Sequence, residues 1–202
     1  MSEISLDEVK LGTAAGPVEE LFLKRWSPRA YADKPVSDAD LKTIFEAASW
    51  AASSYNEQPW RFVVGRKGDA VYGKIFSALM AMNQAWAQSA PVLYASFAKK
   101  TFSHNGSPNG VAMHDVGAAS ALAALQATAL GLYAHGMAGF DGGALRAALD
   151  VPEDFVPVAC WTVGYAGDPE TLPDGFKEAE LAPRTRKGLE QVVFGEWEKP
   201  GL

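Results

Sequence analysis

Residues 112–133 constrain this chain more than any other stretch. Ala112–Tyr133 reads as one long helix, rich in alanine, with Gly117, Ala118, Ala121 and Ala124 small enough to let another backbone pack closely. The apolar run inside it, Val116–Ala134, is interrupted by Ser120 and Gln126, which marks a buried helix of a globular domain rather than a membrane span. The 202 residues suffice for a single domain, 1–202, with a sizeable core and no need of a disulfide or metal staple. Cys160 is the only cysteine, so neither an intrachain disulfide nor a cysteine-built zinc or iron–sulfur site is expected. Lys and Arg number 18 against 24 Asp and Glu, a net charge of −6, which argues against nucleic acid and acidic membranes as partners. An anionic ligand would therefore need a local cationic pocket. Met1–Lys10 is polar and acidic, unlike a secretory signal, and a cytoplasmic location is expected.

The remaining elements follow from periodicity and breakers. Pro17 opens a helix carrying Val18, Leu21 and Phe22, and Ser27-Pro28 ends it. Ser37-Asp38-Ala39-Asp40 resembles a capping start, with Leu41, Ile44, Phe45 and Ala48 on one apolar face of the helix that follows. Arg61–Val64, Pro91–Phe97, Leu132–Met137 and Val156–Tyr165 read as strands, with a short terminal strand over Gln191–Phe194. Helices are expected over Ala70–Met82, Gln84–Gln88 and Ala144–Leu149. Thr101–Gly110, with two Asn-Gly steps and a proline, is a loop, and Gly167–Lys187 is polar and turn-rich. Strands alternate irregularly with helices, which fits an α+β domain better than a doubly wound sheet.

Familiar chemical motifs are missing: no G-x-G-x-x-G follows a strand, and there is no P-loop, G-x-S-x-G or H-E-x-x-H. His104, His114 and His135 lack metal-ligand spacing, so no metal site is expected, and Cys160 in its apolar strand reads as a buried inert thiol. Four clusters remain. In Arg25-Trp26-Ser27-Pro28-Arg29, the residues Arg25, Ser27 and Arg29 alternate, so an extended chain points them one way, suited to phosphate or a polarised carbonyl. A solvated turn is the competing reading. Ser53-Ser54-Tyr55-Asn56-Glu57-Gln58-Pro59-Trp60 concentrates hydroxyls and amides able to address the edge of a flat heterocycle; an ordinary helix-to-strand turn competes. Gly136-Met137-Ala138-Gly139-Phe140-Asp141 would let a ligand approach backbone N–H groups, or be a plain loop. Arg184-Thr185-Arg186 could clamp a phosphate or be a basic tail.

Taken in order, these clusters resemble the nitroreductase family of FMN-dependent oxidoreductases. The resemblance rests on Arg-x-Ser-x-Arg, the Ser-Ser-x-Asn-x-Gln-Pro-Trp loop, Asn83 before Ala90-Pro91 and a strand, the long small-residue helix, the Gly-Phe-Asp turn and the C-terminal Arg-x-Arg. It spans about Val18 to Trp197. It implies a mixed, mostly antiparallel sheet flanked by helices. It also implies an intertwined homodimer whose C-terminal arm, about residues 180–202, reaches across to extend the partner's sheet. Two FMN sites would lie at the dimer interface. Arg25, Ser27, Arg184 and Arg186 would hold the phosphate and ribityl chain, with Trp26 in the same segment. Arg29 and Asn83 would face the pyrimidine edge of the flavin. Ser53, Ser54, Tyr55 and Asn56 would come from the other subunit, and the Met137–Ala138–Gly139 backbone would approach N5.

The implied activity is reduction of nitroaromatics, quinones or similar flat small-molecule acceptors by NADH or NADPH. The mechanism would be ping-pong, with the chemistry at the flavin and no catalytic side chain of the protein. Specialised reduction of an enone, an aldehyde or a halogenated aromatic is an alternative, as is a flavin-binding protein without nicotinamide turnover. Two positions depart from the family pattern. Ala138 stands where some members carry Glu, and Trp86 where some carry a basic residue. The short segment between Phe97 and Ala112 implies an open pocket with broad acceptor tolerance.

Overall fold

The computed structural model describes residues 5–201; the first four residues of the polar N-terminal segment and residue 202 lie outside that range. In chain order the elements are α1 (Leu6–Lys10), α2 (Glu20–Lys24), α3 (Asp38–Ser49), β1 (Trp60–Arg66), α4 (Ala70–Ala78), α5 (Ala81–Ala87) and β2 (Val92–Lys99). Then come α6 (Ala112–Ala129), β3 (Tyr133–Met137), α7 (Gly142–Ala148), β4 (Phe155–Gly164), α8 (Phe176–Leu181), β5 (Phe194–Glu196) and β6 (Lys199–Pro200).

Four strands form one sheet in the order β1-β2-β4-β3, and each of its three pairings is antiparallel. The α+β class and the mostly antiparallel sheet expected from the sequence are both present. The central strand β2 is inaccessible along almost its whole length because helices cover both faces of the sheet. Leu93, Ala95 and Phe97 join the core formed with Tyr72, Ile75 and Leu145 of α4 and α7. Val92, Tyr94 and Ala98 join the core under α3 and α6, with Ile44, Val116 and Ala123. This pattern explains why β2 reads as a continuous apolar run instead of an alternating one.

Helix α3 begins as the sequence indicates. The Ser37 hydroxyl accepts the Asp40 N–H at 3.0 Å and donates to the Asp40 carboxylate at 2.7 Å. Helix α6 is shorter than expected. Gly131, at φ +73°, turns the chain left-handed, and Leu132 N–H returns to the Ala127 carbonyl at 2.8 Å, so the helix stops at Ala129. Its buried face is Val116, Ala119, Ser120, Ala123, Ala124 and Ala127. Of the small residues read as allowing close backbone packing, Gly117 and Ala121 are exposed, and a Cβ built on Gly117 meets nothing within 4 Å.

Three further expectations change. The helix read over Ala70–Met82 breaks at Leu79 and Met80, because Met80 N–H bonds the Gly139 carbonyl at 3.0 Å. The turn-rich Gly167–Lys187 contains α8, entered through Gly175. The terminal strand begins at Phe194 and forms a small hairpin with β6, while Leu189–Gln191 is a single 3₁₀ turn. No helix among the described residues is long and apolar enough to cross a membrane.

Candidate functional site

The segment after α2 is extended, and its burial alternates. Trp26, Pro28 and Ala30 are buried, whereas Arg25, Ser27 and Arg29 are half-buried on the other side. The one-sided display of the two arginines and the serine is therefore real. The same alternation turns Trp26 inward. At 4% exposure its indole packs edge-on against Tyr133 at 5.6 Å and under the Lys10 ammonium at 5.1 Å. Its side chain supports the segment from beneath, on the side opposite Arg25, Ser27 and Arg29.

Arg25, Arg184 and Arg186 converge although 159 residues separate the first two in the sequence. Burial, and then the charge of Arg186, lowers the pKa of Arg25; burial, Arg25 and Arg186 lower that of Arg184. Among the described residues none of the three has a carboxylate within ion-pair distance. Three mutually repelling cations therefore stand without a counter-ion among the described residues, a charge arrangement that could hold an anion. Their roles differ. Arg25 Nη1 donates to the Ser27 hydroxyl at 3.3 Å. Arg184 Nη1 donates to the Lys10 and Leu23 carbonyls at 3.0 and 2.5 Å, so much of its work is to fasten the C-terminal segment to the start of the chain. The stretch through Arg184 is therefore tied to the start of its own chain.

Asn83 and the Met137–Gly139 turn meet directly. Asn83 Nδ2 donates to the Gly139 carbonyl at 2.9 Å, and a Cβ on Gly139 would come within 2.8 Å of that nitrogen. The Met137 side chain is buried in the core while Ala138 is exposed, so this turn offers backbone and small side chains to solvent. Trp86 is buried and stacks on His135 with ring centres 4.6 Å apart. His135 Nδ1 lies 2.9 Å from the Pro28 carbonyl, an acceptor only, which assigns the proton to Nδ1. Burial pushes His135 down to about 4; the Pro28 bond opposes this, and the charges of Arg29 and Arg25 add to the depression. Near neutral pH the ring is an uncharged prop under the arginine segment.

Ser53–Asn56 lies elsewhere. It leads into β1, at the edge of the sheet opposite β3 and His135, three strand spacings or about 14 Å away. Ser54 N–H bonds the buried Asp115 carboxylate at 3.0 Å, in the first turn of α6, and the Ser53 hydroxyl accepts Gln58 N–H at 3.0 Å. Tyr55, Asn56 and Gln58 all hold positive φ, near 50°. Tyr55 is 83% exposed and packs edge-on to Phe102 and tilted against His104, with ring centres 5.7 and 5.6 Å away. The Glu57 carboxylate accepts the Ser103 N–H and hydroxyl at 2.8 and 2.6 Å, joining this loop to the 101–110 loop.

The structure also brings in residues that sequence reasoning passed over. Glu180 of α8, only 1% exposed, accepts the N–H groups of Arg29 and Ala30 at 2.8 and 3.1 Å. Lys10, buried to 5%, donates to the Ala179 and Ala182 carbonyls around it at 3.2 and 2.5 Å. Neither bears a local motif. The partners of Glu180 lie 150 residues away in the chain, so no spacing rule reaches them.

The described residues thus combine an α+β sheet, an arginine cluster without a carboxylate partner and a polar backbone turn beside one edge of the sheet. Two overlapping segments, residues 23–94 and 65–165, match the nitroreductase family, and the chain belongs to that family. It is similar to a solved oxidoreductase containing FMN, with 37% identity and a TM-score of 0.87 over 96% of this chain and 97% of that one. It is also similar to a Desulfovibrio desulfuricans protein solved in complex with FMN, at 25% identity and a TM-score of 0.73, covering 91% and 98% of the two chains. A 15.4 kDa Mycolicibacterium smegmatis protein is 34% identical over 152 residues, 69% of this chain and 99% of its own. An Archaeoglobus fulgidus protein provisionally named NADH dehydrogenase/NAD(P)H nitroreductase is 28% identical over 74% of this chain and 85% of its own.

Proposed function

We propose that this chain is an FMN-dependent oxidoreductase. It takes electrons from NADH or NADPH and delivers them to a flat acceptor such as a nitroaromatic or a quinone. The observation that carries the reading is the convergence of Arg25, Arg184 and Arg186 without a carboxylate, in a protein of net charge −6. A terminal phosphate of roughly −1.5 to −2 charges supplies the missing counter-ion. Arg25, Ser27 and Arg186 would hold it, with Arg184 fixing the cluster. Arg29 and Asn83 would address the pyrimidine edge, and the Met137–Gly139 turn would bring backbone close to the ring. FMN, when bound, supplies the redox chemistry itself. The protein binds and orients, Arg29 offers positive charge to the edge that becomes electron-rich, and no side chain is assigned as an acid or base. Donor and acceptor would use one open face in turn, which is a ping-pong scheme and needs no separate dinucleotide fold.

The same reading makes the working unit a homodimer. Ser53–Asn56 would then complete the partner's site, because within one chain it leads into the sheet edge opposite β3, where the arginine segment packs. Three features support this. Met113, Gly117 and Ala121 expose one face of α6 to close approach. A groove of about 650 Å³ runs beside the open edge of β1, lined by Leu41, Phe45, Val64 and Arg66. The β5–β6 hairpin carries Trp197 at 84% exposure, and so small a two-stranded element has little stability alone. A strand exchanged from the partner's arm would cover both groove and hairpin.

Purified protein given FMN is expected to become yellow, to bleach rapidly under anaerobic NADH or NADPH, and to regain colour with a quinone. Protein that never takes up flavin overturns the proposal. Flavin that binds but is not bleached replaces it with a flavin-binding role.

A further inference from the structure

Among the described residues Glu180 is the one buried carboxylate at the arginine segment, and it is only partly used. Its Oε1 accepts both Arg29 N–H and Ala30 N–H. Its Oε2 has no hydrogen-bond partner among the described residues and stands 3.8 Å from Arg29 Nη1, too long for a hydrogen bond and short enough for attraction between a buried carboxylate and a part-exposed guanidinium. The helix carrying it cannot drift. Lys10 ties the carbonyls of Ala179 and Ala182, and Arg184 ties Lys10 in turn. The Arg29 guanidinium also lies over the Phe176 ring, 5.9 Å from its centre, on the same helix. Arg29 is therefore held from one side by a fixed negative charge, while its remaining surface, 29% exposed, faces outward.

We propose that Glu180 is a positioning residue for the flavin reaction. It aims Arg29 by holding its backbone, and its charge offsets part of the Arg29 charge, which keeps the bound flavin harder to reduce than Arg29 alone would make it. The inference rests on the FMN reading above, with Arg29 at the pyrimidine edge. Reduction adds negative charge at that edge, so the charge left on Arg29 decides how much more tightly reduced flavin is held than oxidised flavin. A carboxylate serving only as a backbone anchor would have no such effect, because glutamine presents an equivalent oxygen to the same two N–H groups.

The test is the midpoint potential of the FMN-loaded protein, measured by dye-coupled anaerobic titration in the wild type and in Glu180→Gln. The variant is expected to favour reduced FMN about tenfold more, a potential about 30 mV less negative for a two-electron couple. In an Arg29→Gln background the same substitution should give a clearly smaller shift, since the part exerted through Arg29 is gone. An unchanged potential in Glu180→Gln, or an equal shift in both backgrounds, overturns the proposal. Should Glu180→Gln not fold, Glu180→Asp, which draws the charge back by one methylene, must give a smaller shift in the same direction, and no shift is again fatal. A wild-type chain that binds no FMN at all breaks the oxidoreductase reading first and takes this inference with it.

Discussion

The two regions expected to hold a cofactor differ in how they are built. The arginine side is self-contained. Residues 25–29, α5, β3, α8 and the 184–186 segment come together within one chain, tied by side chains that cross 150 residues or more. The Ser53–Asn56 loop has a rigid base, Asp115 and Ser53, but its polar tip and Tyr55 point to solvent at the far edge of the sheet. On the proposed reading, one region is a finished half of a site and the other is a presented surface. Such a division is what a two-chain site requires, each protomer supplying a different half.

The sharpest way to break this comparison is subunit complementation. Arg25→Ala with Arg186→Ala removes two charge-assisted contacts, each worth about 1.5–3 kcal/mol, and should weaken FMN binding roughly 10²- to 10⁴-fold in a fluorescence titration. These two are cleaner targets than Arg184, whose loss would also free the Lys10 and Leu23 carbonyls. A second protein carrying Ser54→Ala and Asn56→Ala should bind poorly through the other half. Unfolded and refolded together, the two should recover tight sites at about a quarter of the wild-type number, as mixed dimers with one intact site each. No recovery would mean that both halves serve the same site from one chain.

A smaller effect probes the arginine side alone. Unfolded, His135 takes up a proton near pH 6.5; folded, only near 4. Between these values the unfolded chain binds more protons. The stability contributed by the neutral ring is therefore complete above about pH 6.5 and is lost as the pH falls toward 4. Urea unfolding should show roughly 2–3 kcal/mol less stability at pH 4.5 than at pH 7 from this group. His135→Gln keeps a donor for Pro28 and should flatten the acid limb by that amount. An acid limb identical to wild type would place His135 in water rather than beneath Arg25 and Arg29.

The same contrast governs what could be read from the sequence. Features set by neighbouring residues were legible: the Ser37 cap, the Leu41–Ile44–Ala48 face, the apolar β2, and the alternation that aligns Arg25, Ser27 and Arg29. The inward turn of Trp26 follows from that same alternation. Gly131 was a local signal too, since a glycine after Ala-rich helix marks its end. The break at Met80 has no local cause, because the Gly139 carbonyl 59 residues later takes its N–H. Helix α8 was obscured by turn-forming neighbours, and the positions of Lys10, Glu180 and Arg184 are decided by packing between the two ends of the chain. At the loop, the residue types were readable but not their left-handed backbone, which Tyr55 and Gln58 adopt against their own preference.

That backbone gives the finest test of the comparison. A left-handed conformation costs a non-glycine residue roughly 1–2 kcal/mol, and part of any relief through glycine is offset by the greater freedom of the unfolded chain. Gln58→Gly retains the backbone N–H that bonds Ser53 and loses only the side-chain bond to the Asn56 carbonyl. Urea unfolding should therefore show a gain of about 0.5–1 kcal/mol. If the presented loop is strained so that it stays rigid for the partner's ligand, FMN affinity should fall while stability rises, since glycine frees the tip that carries Asn56. A gain in stability with unchanged affinity would show that the strain is incidental. A loss of stability would mean that the Gln58 side chain, not the left-handed turn, holds the loop.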